Sequence, residues 1–248
     1  MKYRALAATA LAAVAALTLS ACATGTLVDP DSNGQEVPGG DGTERALVEA
    51  AWLDDGRIIG IVTEGSSTCV PEAGEVTLDG TKLDVVLTEP DEGTPCTMDL
   101  APRVSLVDVP DGVDPQQDLE ISVTGAGFEG GVTLSGVEGL SPEGPSDLTP
   151  SAGWTNLNGI FVVLLWGSSS CPEYITATEV TGTASVTASL SGLPADKACT
   201  MDLASNPQIA FADGLQGVED VELTLEAPTA DAVTIPIRGA NNPVIPAG

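Results

Sequence analysis

Histidine is absent from this chain of 248 residues. That absence excludes an imidazole general base, a histidine-containing zinc site and a Ser–His–Asp triad. Basic residues are also scarce, with 8 Lys and Arg against 36 Asp and Glu and a formal net charge of −28. Such an acidic chain lacks the positive surface that phosphates require, so we expect no nucleic acid partner.

The N-terminus has the pattern of an export signal. Lys2 and Arg4 precede an apolar run over residues 5–19, which is too short to span a bilayer comfortably. The run ends in Leu19-Ser20-Ala21-Cys22, which resembles the lipobox of bacterial lipoproteins. The resemblance implies that residues 1–21 are removed and that Cys22 carries a diacylglycerol, whose two acyl chains suffice for anchoring. The alternative is an ordinary cleaved signal followed by an incidental cysteine.

The lipid on Cys22 would place the protein at the cell membrane, on its extracytoplasmic face. Because the removed segment carries Lys2 and Arg4 and no acid, the mature chain would have a formal net charge of −30. The mature chain also has no polybasic segment that would attract anionic lipid. We therefore expect contact with the membrane through the N-terminal lipid.

An internal duplication sets the domain organisation. Residues 52–69 align without a gap with residues 154–171, and both segments begin with Trp and end with Cys. The run from Cys96 to Ala101 recurs letter for letter from Cys199 to Ala204. The similarity continues to Val132-Thr133-Leu134, which aligns with Val233-Thr234-Ile235. A repeat of this kind predicts two copies of one folding unit.

The strand signals within each unit favour an all-β fold. Apolar and polar residues alternate, as in Leu83, Val85 and Leu87, and Asp-Gly pairs such as Asp79-Gly80 mark turns. We predict two tandem small antiparallel β-sandwich or open-barrel domains, each with one internal disulfide. The runs over residues 57–63 and 160–166 are almost entirely apolar, which predicts strands covered on both faces. The predicted boundaries are a signal peptide (1–21), a flexible stalk (22–49), copy 1 (50–136), a linker (137–153), copy 2 (154–239) and a tail (240–248).

Trp52 and Trp154 occupy equal positions in the two copies. We expect both to be core residues, since a large aromatic side chain contributes most of its stabilisation when buried.

The cysteines beyond Cys22 come as one pair per copy. Cys69 and Cys96 are separated by 27 residues, and Cys171 and Cys199 by 28. Pairing between copies would interlock the two domains, so the duplication favours the bridges Cys69–Cys96 and Cys171–Cys199. The rival interpretation, a four-cysteine metal site, lacks both a Cys-x-x-Cys pair and histidine.

Both copies carry Gly-Ser-Ser-x-Cys followed by Cys-Thr-x-Asp-Leu. This pair of motifs resembles a domain of uncharacterised exported actinobacterial proteins, often written Trp-Gly-Ser-Ser-Ser-Cys-Pro in its first part. Copy 2 matches fully, with Trp166 before the glycine, whereas copy 1 departs from the pattern at Glu64 and Thr68. The resemblance supports the domain prediction and supplies no catalytic residue.

The residue types in these motifs predict a structural role. We expect Gly65 and Gly167 to adopt positive φ and to end the buried strand in a tight turn. Asp99 and Asp202 lie three residues beyond the second cysteine of each bridge, so the disulfide would hold them beside the serine turn. There they would accept backbone N–H hydrogen bonds.

An acidic loop provides a candidate Ca²⁺ site, since carboxylate oxygens are the ligands that this ion prefers. Its members are Asp108, Asp111, Asp114 and Asp118. A solvated acidic loop is the alternative. We expect no other metal and no cofactor.

The leading functional hypothesis is a lipid-anchored cell-envelope protein that acts as a non-catalytic binding or interaction module, with an envelope protein or a wall polymer as its partner. Catalysis by serine lacks a base, because Lys82 and Lys197 do not align between the copies. We therefore predict that the chain is not an enzyme. The alternatives are a carbohydrate-acting enzyme of the cell wall that uses two carboxylates, and a purely structural envelope spacer.

Overall fold

The computed structural model describes residues 47–241, which form 14 strands and one 3₁₀ turn at Asp54–Gly56. The all-β prediction is confirmed. Among these residues no helix has the length and apolarity needed to cross a membrane. Repeat 1 comprises β1 (Glu49–Leu53), β2 (Ile58–Gly65), β3 (Glu72–Asp79), β4 (Lys82–Thr88), β5 (Ala101–Asp108), β6 (Leu119–Gly125) and β7 (Phe128–Leu134). Repeat 2 comprises β8 (Ser151–Trp154), β9 (Ile160–Gly167), β10 (Ile175–Gly182), β11 (Ser185–Leu190), β12 (Ala204–Phe211), β13 (Glu222–Glu226) and β14 (Val233–Arg238).

Each repeat divides its strands between two sheets. In repeat 1, β1-β2-β5 form a three-stranded sheet and β3-β4-β6-β7 a four-stranded sheet. Repeat 2 has the same two orders, β8-β9-β12 and β10-β11-β13-β14. A short parallel pairing of β14 with β8, which includes Ile237 opposite Ala152, joins these two into one seven-stranded sheet.

The prediction of purely antiparallel sheets is wrong for an equivalent strand pair in each repeat, in addition to the short pairing of β14 with β8. β4 runs parallel to β6, with Leu83 opposite Ile121, and β11 runs parallel to β13, with Val186 opposite Leu223. The cause is the chain path between the paired strands. After β4 the chain crosses to the other sheet as β5 and returns as β6, and a crossover of this kind brings the next strand back in the same direction.

The alternating residues of the four-stranded sheets form the inner wall of each repeat's core. Leu83, Val85 and Leu87 are at most 2% exposed and pack with Trp52 and Ile59 of the three-stranded sheet. Repeat 2 has a matching core around Phe161 and Leu223. Trp52 and Trp154 are 2% and 4% exposed, which confirms that both are core residues.

The strands predicted to be covered on both faces are covered by the other repeat. One face of β2 contributes Ile59 and Ile61 to the core of repeat 1, whereas Ile58 and Val62 lie on the opposite face. That opposite face packs against repeat 2 in a third cluster, whose buried members are Ala51, Leu53, Ile58, Val62, Val104, Val162 and Leu164. The three-stranded sheets are therefore the inner layers of a four-layer arrangement.

This arrangement corrects the prediction of two separate sandwiches. The sheets follow one another in a solenoid-like stack, in which a continuous apolar interface joins the repeats. The physical reason is the composition of β2 and β9, which are apolar on both faces and would otherwise expose one face to water. The sequence predicts that the second apolar face of β2 and β9 is buried, but it does not identify the part of the molecule that packs against that face.

Strand pairing also corrects the alignment of the last strand. Leu225 pairs with Val233 in repeat 2, and its counterpart Val123 pairs with Gly130 in repeat 1. Val233 is therefore the counterpart of Gly130, two residues away from Val132, with which the sequence alignment matched it. The two adjacent glycines of β7 provide no side chains that would reveal this register in the sequence.

The segment predicted as a linker contacts repeat 1. Leu140 is 1% exposed and belongs to the core of repeat 1, and its carbonyl accepts a hydrogen bond from Gln116 Nε2 at 3.2 Å. Ser146 Oγ donates to the Asp54 carboxylate at 2.9 Å. β8 begins at Ser151, within the range assigned to the linker.

A buried carboxyl group lies where the repeats meet. Glu49, in β1, is 7% exposed, and its Oε2 atom has no hydrogen-bond partner. Burial raises the pKa of Glu49 from 4.5 to about 7, and backbone hydrogen bonds from Asn156 and Leu157 of repeat 2 offset part of this effect. The ionised form of Glu49 is therefore disfavoured in the folded protein.

We expect the free energy of unfolding to decrease as the pH rises from about 4.5 to about 7. In that interval Glu49 ionises in the unfolded chain and remains protonated in the fold, so ionisation favours unfolding. Glu49→Gln should remove this dependence and stabilise the protein at pH 8 by about 1–2 kcal/mol. Urea unfolding at pH 4 and pH 8 measures the effect, with Glu129→Gln on the exposed side of β7 as control. Equal pH dependence in Glu49→Gln and the parent would contradict the assignment.

Candidate functional site

The repeated motifs form a disulfide-closed tip at one end of each repeat. β2 ends at Gly65, and the following turn is closed by a hydrogen bond from the Cys69 N–H to the Ser66 carbonyl at 3.3 Å. In repeat 2 the Cys171 N–H donates to the Ser168 carbonyl at 3.2 Å. The two tips are thus built in the same way.

Both predicted bridges are present in the described part of the chain. Cys69 is bonded to Cys96 and Cys171 to Cys199, with Cα–Cα distances of 5.4 and 5.5 Å. Cys22, the predicted lipid attachment site, lies outside the described residues.

The two motif glycines do not have the conformation that we expected. Neither Gly65 nor Gly167 has positive φ. At Gly65 the reason for glycine is space, because an added Cβ would lie 2.5 Å from Cζ of Arg103. At Gly167 an added Cβ would meet nothing within 4 Å. The first glycine therefore admits a neighbouring side chain, and the second tolerates a larger residue.

The motif aspartates bind the serine turns, as predicted. Asp99 Oδ1 accepts a hydrogen bond from the Ser67 N–H at 3.2 Å, and it also accepts one from the Thr97 hydroxyl. Asp202 Oδ1 accepts from the Ser169 N–H at 3.2 Å. Hydrogen bonds from the serine and threonine lower the pKa of each aspartate from 3.8 to about 2. The carboxylates hold the disulfide loop against the turn.

The same tips carry clustered hydroxyl groups. Ser66 Oγ lies 2.9 Å from Thr97 Oγ1, and Ser168 Oγ lies 2.8 Å from Thr200 Oγ1. A carboxylate with a pKa of about 2 is a poor proton acceptor near neutral pH. The cluster is suited to hydrogen bonding.

The two candidate lysines have other partners. Lys82 Nζ forms an ion pair with Asp84 at 2.7 Å, on the four-stranded sheet of repeat 1. Lys197 Nζ donates to the Ser170 carbonyl oxygen. The ammonium group of Lys197 therefore contacts the backbone of the tip in repeat 2, and neither of these two lysines is paired with a serine hydroxyl.

Each tip also exposes two apolar side chains. Met98 and Met201 are fully exposed, and Leu100 and Leu203 are 75% and 60% exposed. The sequence motif predicted a disulfide and a carboxylate that binds the turn, and it did not predict a surface role for this segment. The sequence contains a signal for this exposed apolar surface, because Cys-Thr-Met-Asp-Leu-Ala is identical in both copies and includes the methionine and the leucine.

The acidic loop does not assemble a metal centre. Within residues 47–241 no group of three or more His, Cys, Asp or Glu side chains is placed to hold a metal ion. Asp118 Oδ1 accepts a hydrogen bond from the Gly136 N–H at 2.9 Å, and Asp114 Oδ1 accepts one from the Gln116 N–H at 3.0 Å. The candidate set comprised Asp108, Asp111, Asp114 and Asp118. Two of its members thus hold the backbone of their own region.

No protein-family model matches the chain, and no curated protein or solved structure is significantly similar to it.

Proposed function

We propose that the protein is a lipid-anchored cell-envelope module on the extracytoplasmic face, which binds an envelope partner non-catalytically through the tips of its two repeats. The observation that carries this proposal is the full exposure of Met98 and Met201 at equivalent positions. An exposed methionine is a flexible, polarizable side chain that adapts to a partner's surface. The two disulfides support export to an oxidising compartment.

The surroundings of the tips favour a partner surface that combines apolar and basic groups. Asp99 and Asp202 stand next to the exposed methionines, and hydrogen bonds keep both carboxylates ionised at neutral pH. Charge complementarity between the tips and such a surface would direct recognition. Because the chain presents the tip twice, engagement of both raises the apparent affinity above that of either one.

We infer that each repeat derives from a self-contained two-sheet unit, because each has its own buried core. In the present chain the two units share a third core, which fixes the spacing of the tips.

Substitution of both exposed methionines should reduce binding to the envelope far more than either single substitution. We expect the double variant Met98→Gln plus Met201→Gln to lower retention on isolated envelopes by about tenfold or more. Each single variant should lower retention less, because one of the two tips can still bind the partner. Retention is measured with the chain from residue 22 onward carrying Cys22→Ser, which has no lipid attachment site, so that binding to the envelope reports the tips and not the anchor. Val86→Gln, a partly exposed residue of β4 outside the tips, is the control.

A photo-crosslinking residue locates the partner directly. Placed at Met201 in cells, it should yield a discrete cross-linked species that is absent when the same residue replaces Thr183, in the turn between β10 and β11. Equal cross-linking at both positions, or none at Met201, would favour the spacer alternative.

The anchor is tested separately by the intact mass of protein extracted from its native membrane. Loss of residues 1–21, a diacylglycerol adduct, and a gain of two hydrogens per disulfide upon reduction are the expected results. A mass without lipid would refute attachment at Cys22 and leave the binding proposal standing.

A further inference from the structure

A cavity of about 410 Å³ lies beside the tip of repeat 2. Apolar side chains line it, among them Leu165, Leu190 and Leu225, and two acids, Glu173 and Asp231, line it as well. None of the residues that line it is basic. Its volume falls within the range of small-molecule sites, which combine apolar walls with a few polar groups.

The equivalent end of repeat 1 carries an arginine, and the cavity beside it is lined by Arg103 and the disulfide loop and by no leucine. Arg103 lies opposite Thr63 across β5 and β2, and its guanidinium carbon lies 5.5 Å from the centre of the Phe128 ring. Its Nη1 donates to the carbonyl of Ser66 at 3.2 Å and to that of Cys69. Repeat 1 therefore holds a planar cation between an aromatic ring and the backbone of its own tip.

Repeat 2 lacks both partners of this cation–π pair. Asn206 lies opposite Leu165 across β12 and β9, at the position that corresponds to Arg103. Val233 and Gly130 are equivalent in strand register. Counting back two residues from each along the chain matches Asp231, which precedes β14, to Phe128 at the start of β7. A carboxylate thus replaces the ring, and a short amide replaces the guanidinium.

The substitution leaves the end of the second core open. Leu87 is 2% exposed in repeat 1, whereas its counterpart Leu190 is partly exposed and lines the cavity. Asn206 Nδ2 donates to the Glu173 carbonyl at 2.6 Å. Trp166, which also lines the cavity, has a buried indole N–H without a hydrogen-bond partner.

We propose that this cavity binds a small organic cation with a planar apolar body, such as an amidine or a guanidine. The cationic group takes the place of the Arg103 guanidinium and is attracted by Asp231 and Glu173, while the apolar body contacts the leucines. The tip of repeat 2 keeps the peptide carbonyls of Ser168 and Cys171, whose counterparts accept hydrogen bonds from Arg103. This site is separate from the exposed methionines and does not depend on partner binding by the tips.

Benzamidine is the probe that tests the proposal, with its isosteres benzamide and benzoate as neutral and anionic controls. Isothermal titration of the full-length protein should show one benzamidine site per chain. Benzamide should bind at least about tenfold more weakly because it lacks the charge, and benzoate should not bind. Equal affinity for benzamidine and benzamide would overturn the proposal, as would the absence of benzamidine binding.

Asn206→Arg places the arginine of repeat 1 in repeat 2 and should reduce benzamidine affinity by about tenfold or more, because the cavity is then filled by the chain's own cation. The matched control is Asn158→Arg, which makes the same change at the exposed opposite end of β9 and should leave affinity unchanged. Equal loss in both variants would indicate a general charge effect and overturn the site.

Asp231→Asn tests the same site without adding bulk. It should weaken benzamidine binding severalfold and leave the weaker benzamide binding unchanged, because benzamide carries no charge. Thermal unfolding of each variant establishes that it is folded. Unchanged benzamidine affinity in a folded Asp231→Asn variant would contradict the proposed role of the carboxylate.

Discussion

Replacement of both Cys171 and Cys199 by alanine is expected to lower the free energy of unfolding by about 3–4 kcal/mol. The bridge closes a loop with a sequence separation of 28 residues, and its loss restores that loop's conformational entropy to the unfolded chain. Guanidinium unfolding followed by circular dichroism measures the change. Because the shared third core couples the repeats, the loss should appear as one cooperative transition at lower denaturant concentration.

The matched variant removes Cys69 and Cys96 from repeat 1, where the sequence separation is 27. This variant should lower the free energy of unfolding by a similar amount, and it should also shift the whole guanidinium unfolding transition. Two resolved transitions, with the mutated repeat unfolding first, would contradict the coupling and restore the model of two independent sandwiches.

Gly153→Ala is expected to destabilise the protein by about 3 kcal/mol, although it adds a single methyl group. β8 passes so close to β1 that a Cβ at this position would lie 2.2 Å from the carbonyl oxygen of Trp52. The obstacle is backbone rather than a flexible side chain, so relief requires the two strands to separate, and overpacking of this kind is costly. Thermal unfolding monitored by tryptophan fluorescence measures the effect.

Gly167→Ala is the control for that substitution. Gly167 is also a strand glycine, at the end of β9, and an added Cβ there meets nothing within 4 Å. The control should therefore change stability by less than about 1 kcal/mol. A similar loss in both variants would mean that the close contact between β1 and β8 does not limit stability.

Much of the molecule was predictable because the duplication acts as an internal control on the sequence. It identified both disulfide pairs, since each copy carries one pair of cysteines, and it placed Asp99 and Asp202 beside their serine turns. The apolar character of residues 57–63 correctly indicated a strand covered on both faces.

Other features depend on contacts that a sequence pattern does not encode. The same apolar run does not reveal that the cover of β2 is the other repeat, because a run specifies burial and not its partner. The parallel pairing of β4 with β6 depends on which of the two sheets contains β5. The alternation of apolar and polar residues in β5 does not indicate the sheet to which it belongs. The match of Phe128 to Asp231 depends on pairing across Gly130 and Gly131, which have no side chains to align.

The surface features were harder to predict for a similar reason. Met98 and Leu100 belong to a residue class usually placed in a core, so exposure at the tip is visible only after folding. The opening of the second core depends on the length of one side chain at Asn206 relative to Arg103.

The third core has a consequence for the order in which the chain folds. An exported chain emerges N-terminus first, so repeat 1 precedes repeat 2, and its three-stranded sheet has no cover for Ile58 and Val62 until repeat 2 arrives. During that interval the nascent protein exposes an apolar sheet face, the kind of surface through which partly folded chains associate. Folding of the first half therefore ends only when the second half docks, so slow delivery of repeat 2 would lengthen the time in which aggregation can occur.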